Sequence, residues 1–150
     1  MECITHFYRQ LYSKNEVHHS VLDDMEFGRF SEEDASWLDR PFEEDEVFGV
    51  VSGFNGDKSL GPNGFSMAFF QSCWSILTKD VMPVLHNFHE KVVFESSLNV
   101  SFLVLFPKKP DAMEVNDFRT ISLVGEMYKI IYKVLSNCLC MVAHSLISDS

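Results

Sequence analysis

At 150 residues the chain is long enough for one domain with a buried core. Its 46% apolar content and mean hydropathy of −0.01 exclude a disordered chain, and no apolar run approaches the ~18 residues that span a membrane. The net charge of −10 excludes a general affinity for nucleic acid, so any contact with phosphate has to come from a local basic cluster.

The charge is uneven. Residues 1–50 carry 13 acids against 4 Lys and Arg, whereas residues 51–150 carry 9 against 8. The 14 phenylalanines point to an aromatic-rich interior, or equally to a face meant for a further segment. Cys3, Cys73, Cys138 and Cys140 include no C-x-x-C pair, which argues for reduced thiols over a disulfide framework or a zinc site. Met1 to His6 show no basic-then-apolar leader pattern.

In chain order, Phe7, Tyr8 and Leu11 predict a short amphipathic helix. Asn15 to Gly28 reads as a polar loop, with His18 and His19 as a solvated pair. Ser31 followed by Asp34 predicts a capped helix running through Leu38 and stopped by Pro41. Glu43 to Glu46 are contiguous and cannot converge on one cation from a single helical turn. They read as first-turn acids facing a helix's positive end. Gly61, Pro62, Asn63 and Gly64 form a turn by composition, preceded by Lys58, without the spacing of a P-loop.

Ser66–Leu77 and Asp80–Phe94 read as two helices. Met67, Phe70, Trp74 and Leu77 mark one apolar stripe, while Val81, Val84 or Leu85, and Phe88 mark another, and Pro83 falls in the first turn of the second helix. Phe69, Phe70 and Trp74 read as packed core, not as a base-stacking stripe. Phe102 to Phe106 is an apolar strand closed by Pro107, then Lys108 and Lys109 make a basic turn, and Phe118 to Leu123 with Arg119 forms a second strand. The three cations are either a solvated turn or a phosphate contact. Gly125–Ile147 carries the longest helical pattern, with Met127, Ile131, Val134, Cys138, Met141 and Leu146 on one side.

These blocks, in this order, resemble the reverse transcriptases of plant-type non-LTR (LINE-type) retrotransposons. Asn99 to Lys109 is similar to the family's N-x-T-F-hydrophobic-x-L-I-P-K-K, and Asp117 to Leu123 to its D-F-R-P-I-S-L. Tyr128 to Leu135 resembles Y-K-I-I-A-K-V-L, and Asp57 to Phe65 resembles D-K-S-P-G-P-D-G-F. The resemblance runs from about Ile4 to Ile147. Two of the family's prolines are replaced by Leu60 and Thr120, its loop aspartate by Asn63 and its helix arginine by Cys138.

The resemblance implies an α/β (α+β) architecture: helix-rich polymerase fingers and the first palm helix, with a small antiparallel sheet, as an incomplete domain. It implies an acidic pre-fingers segment at 1–41 and a partial reverse transcriptase domain at 42–150. Lys108 and Arg119 would lie near incoming nucleotide and template, and Lys109, Lys58 and Lys129 near nucleic-acid backbone. An RNA template, a DNA primer, a deoxynucleoside triphosphate and a palm/thumb segment would be partners of the complete protein, in the nucleus or cytoplasm. Mg²⁺ would belong to that complete polymerase, whose two metal ions are held by palm aspartates. Asp57, Asp80, Asp111, Asp117 and Asp149 lie in no such motif, so no catalytic or metal-binding residue and no cofactor are assigned to this chain. A different class of reading is a non-catalytic relic or a protein-interaction module that exposes an apolar face. A small hydrolase finds no G-x-S-x-G or H-E-x-x-H support.

Overall fold

A computed structural model describes residues 2–13 and 29–143. The predicted loop at Asn15–Gly28, with His18 and His19, lies outside the described residues, as does Leu146. Among the described residues the chain is a mixed α/β protein with six α-helices and one two-stranded antiparallel sheet. By its contacts it divides into two units. The smaller holds α1 (Glu2–Leu11) and residues 104–121; the larger holds the rest of the described chain.

The larger unit is built on helices whose starts are fixed by their caps. Ser31 Oγ accepts the Asp34 N–H at 3.0 Å and opens α2 (Glu32–Leu38). Glu44, Asp45 and Glu46 fill the first turn of α3 (Glu44–Gly53), where negative charge offsets the helix's positive end. Ser66 Oγ accepts from the Phe69 N–H at 3.3 Å and opens α4 (Met67–Ser72). Gln71 on α4 then donates to the Val51 and Phe54 carbonyls at 3.0 and 2.7 Å, closing the C-terminal end of α3.

The predicted boundary between the next two helices is corrected. The chain breaks at Cys73, and α5 runs unbroken over Trp74–Lys91. The reason is in the apolar spacing. Trp74, Leu77, Val81, Leu85 and Phe88 continue one stripe across the region expected to interrupt it, and Trp74, Val81 and Leu85 are buried. Asp80 therefore does not start a helix, and Pro83 lies in the interior of α5 instead of its first turn. Its missing N–H leaves the Lys79 carbonyl without its helical donor, at an exposed position. The helix ends at Val92, in the left-handed region at φ 53°, whose N–H reaches the Phe88 carbonyl at 2.8 Å.

The closing helix, α6 (Glu126–Ala143), buries Met127, Ile130, Ile131, Val134, Cys138 and Val142. This corrects one expected core position: Met141 is exposed, and Val142, one residue on, takes the inward place. The core of this unit joins Met127, Ile130, Ile131, Val134 and Cys138 to Phe42, Val47, Val50 and Val51 of the α3 region and to Met67, Phe70, Trp74, Val81 and Leu85. Complete burial of a side chain such as Leu85 contributes about 1.5–3 kcal/mol. Arg40 ties the margin of this core: it lies 4.7 Å above the Trp37 ring and pairs with Glu46 Oε2 at 3.2 Å. The other oxygen of Glu46 accepts from the buried Cys138 thiol at 3.2 Å.

The sheet pairs β1 (Ser101–Pro107) with β2 (Phe118–Val124). The apolar composition of β1 does not place it in a core: Phe102, Leu103 and Phe106 are exposed, as is Ile121 on β2.

Candidate nucleic-acid interface

The basic hairpin lies in the smaller unit, and polar contacts hold it closed. The Lys108 N–H donates to the Asp117 carbonyl at 2.7 Å across the two strand ends. The connection turns through Asp111, which adopts φ 61°, a conformation that aspartate tolerates better than most residues. A one-turn 3₁₀ helix (Val115–Asp117) follows, closed by a reciprocal capping box. The Glu114 side chain accepts from the Asp117 N–H, and Asp117 Oδ2 accepts from the Glu114 N–H at 3.3 Å. The Met113 N–H also donates to Asp117 Oδ2 at 3.3 Å.

Each predicted cation of the hairpin has a distinct state. Lys108 Nζ donates to the Asn116 carbonyl at 2.8 Å, so it braces the loop while its chain stays exposed. Lys109 Nζ pairs with Asp117 Oδ1 at 2.7 Å. That ammonium, helped by the Glu114 and Met113 N–H groups against a smaller opposing effect of desolvation, holds the Asp117 carboxyl below its ordinary pKa. Arg119 is exposed on β2, and its side chain makes no ion pair or hydrogen bond to the described residues.

The remaining predicted residues belong to the larger unit. The Gly64 N–H donates to the Gly61 carbonyl at 3.1 Å, so Gly61, Pro62, Asn63 and Gly64 form a closed turn, with Gly64 at φ 72°. Gly61 is buried against the junction of β2 and α6; a Cβ there would lie 2.5 Å from the Val124 carbonyl oxygen. Upstream, Asn55 Oδ1 accepts the Asp57 N–H at 2.9 Å and sets the approach of Lys58. Lys58 and Lys129 line one pocket of about 260 Å³ with Phe54, Asn55, Met67 and Glu126. Lys129 Nζ is paired there with Glu126 Oε1 at 3.0 Å, and Glu126 is buried at 1% exposure. Glu126 Oε2 has no hydrogen-bond partner among the described residues. Its charge is offset by Lys129 and by its place in the first turn of α6.

Sequence reasoning missed the two acids that set these states. Asp117 sits two residues before Arg119, a spacing that points to the wrong cation, since its carboxylate pairs with Lys109. Glu126 and Lys129 are spaced i,i+3, a pairing distance on a helix, but nothing in the sequence marks the carboxylate as buried. Among the described residues no three His, Cys, Asp or Glu side chains cluster to hold a metal ion.

Fold and site together define a mixed α/β protein whose small sheet carries a hairpin with three cations, of which Lys109 is ion-paired, Lys108 is hydrogen-bonded to a backbone carbonyl and the Arg119 side chain has no partner among the described residues. No protein-family model matches the chain. It is 30% identical over 132 residues, 87% of its length, to the Transposon TX1 uncharacterized 149 kDa protein of Xenopus laevis. The chain spans 10% of that relative's length. The similarity connects the chain with a protein of transposon origin.

Proposed function

We propose that this chain is part of an RNA-directed DNA polymerase of a LINE-type retrotransposon, comprising the fingers and the start of the palm. In this reading residues 1–41 precede the fingers, the basic hairpin meets template or nucleotide, and the metal-holding aspartates of the palm lie elsewhere in the complete protein. The chain by itself then joins no nucleotides. The observation that carries the reading is the similarity to a transposon protein along 87% of the chain. The ordered sequence blocks and the exposed Arg119 and Lys108 of the hairpin support it further.

Fluorescence anisotropy with a primed RNA template tests it. Binding is expected to weaken as salt rises, with log K falling about 0.7–0.9 per phosphate contact against log salt. Lys108→Ala combined with Arg119→Ala is expected to flatten that slope; unchanged binding would sink the assignment of these residues. Nucleotide incorporation above background with Mg²⁺ would overturn the placement of the catalytic acids elsewhere.

A second reading, a non-catalytic relic or a protein-interaction module, is favoured by a specific feature. Phe102, Leu103 and Phe106 on β1, and Tyr132 and Leu139 on α6, are all exposed.

A further inference from the structure

We propose that Asp117 is an affinity-setting residue of the basic hairpin: its carboxylate withholds Lys109 from nucleic-acid phosphate. This rests on the nucleic-acid reading above and adds to it a residue that limits binding.

Two observations carry it. The first is charge. From Lys108 to Arg119 the hairpin holds three cations, Lys108, Lys109 and Arg119, against three acids, Asp111, Glu114 and Asp117. The basic turn is therefore electroneutral, and phosphate binding by counterion release needs cations that are not already neutralised. The second is geometry. Asp117 is not a loose surface acid that swings away when a phosphate arrives. One oxygen accepts from two backbone N–H groups, those of Met113 and Glu114, while the other faces Lys109 Nζ at 2.7 Å. The Asp117 backbone is fixed as well, by its carbonyl to the Lys108 N–H at 2.7 Å and its N–H to the Glu114 carbonyl at 2.9 Å. The carboxylate thus stays where Lys109 finds it. The lysine, with a side chain 59% exposed, is the mobile partner. A phosphate that recruits Lys109 has to compete with an anion already in place.

Asp117→Asn separates the charge from the architecture, because the amide oxygen can still accept from the Met113 and Glu114 N–H groups. With Lys109 released, one more phosphate contact becomes available. At a slope of about 0.7 per contact on a single strand, that contact raises affinity about fivefold at roughly 0.1 M salt and steepens the salt dependence by the same increment. Lys109→Ala in the otherwise unchanged chain is expected to weaken binding, because it leaves the Asp117 carboxylate uncompensated. In the Asp117→Asn background, Lys109→Ala is expected to remove the whole gain.

The experiment is an anisotropy titration of a fluorescent single-stranded RNA at several salt concentrations, with the unchanged chain, both single variants, the double variant and Arg119→Ala. Circular dichroism of each variant checks that the fold is kept. An equal or weaker affinity of a folded Asp117→Asn chain overturns the proposal, since a purely structural Asp117 would loosen the hairpin and reduce binding. So does a gain that survives Lys109→Ala. If Arg119→Ala weakens binding while Asp117→Asn changes nothing, the nucleic-acid reading stands and the withholding role falls. If no variant or unchanged chain binds RNA, both fall.

Discussion

Gly61→Ala probes the closest approach in the larger unit. The added methyl would lie 2.5 Å from the Val124 carbonyl oxygen and 2.9 Å from Gly125 Cα. Both are backbone atoms at the point where β2 hands the chain to α6, so no side chain can rotate out of the way. Relief requires the 61–64 turn or the strand–helix junction to move by about 0.7 Å, and overpacking of this kind costs about 1–3 kcal/mol. Gly61 itself is not in the left-handed region. Alanine there also narrows the unfolded ensemble, which offsets about 0.4–1 kcal/mol. The net expectation is a loss of about 1–2 kcal/mol. With a urea m-value near 2 kcal/mol/M, the unfolding midpoint falls by about 0.5–1 M with the slope unchanged. Gly64→Ala isolates the other effect: nothing lies within 4 Å of its Cβ position, but its φ of 72° costs an L-residue about 1–2 kcal/mol. An unchanged or raised midpoint for Gly61→Ala would refute the close approach, and with it the packing of this turn on the start of α6.

Val92→Gly is expected to stabilise the chain by about 0.5–1 kcal/mol in the same urea assay, because a β-branched residue now sits at φ 53° in an exposed cap. Gln71→Ala should cost about 1–2 kcal/mol, since it removes both hydrogen bonds that close α3. Burial, and then the hydrogen bond to Glu46, pushes the Cys138 thiol up to about 11. Iodoacetamide at pH 8 should therefore modify the exposed Cys140 well before Cys138, as mass spectrometry of the peptides would report. Asp117 titrates below its ordinary 3.8 when folded, so its stabilising contribution is complete above that value and is lost as the pH falls through the lowered one. The stability gap between the unchanged chain and Asp117→Asn should be constant at neutral pH and close in acid, as pH-dependent urea unfolding would measure.

The parts of the fold that were legible in sequence are those set by local chemistry. Ser31 and the acids of α3 announce helix starts because a cap or a first-turn charge acts on backbone a few residues away. The inward face of α6 was legible through its period, from Met127 to Cys138. Failures occur where a tertiary choice decides. Cys73, not the Thr78–Lys79 region, breaks the α4–α5 run because the buried stripe continues past Asp80. Val142 replaces Met141 because a helical stripe drifts relative to a fixed heptad spacing, and only the packed neighbour settles which residue turns inward. For the candidate site, the residue types were legible and their pairing was not. Lys109 and Lys129 read as available cations, yet each meets a carboxylate at about 3 Å: Asp117 across the hairpin, and Glu126 one helical turn away, whose burial only the packed chain reveals.

The exposed strand sharpens what the hairpin depends on. A two-stranded ribbon alone is marginal in water, and a β1 strand with Phe102, Leu103 and Phe106 exposed gains little from burial. Its closed end is instead secured by polar contacts that converge on one residue: the Asp117 carbonyl, N–H and both carboxylate oxygens are all engaged. The acid that organises the loop is therefore also the acid that neutralises Lys109. With Lys109 neutralised in this way, Arg119, outside the loop and without an ion pair among the described residues, is the cation on which nucleic-acid affinity should depend most.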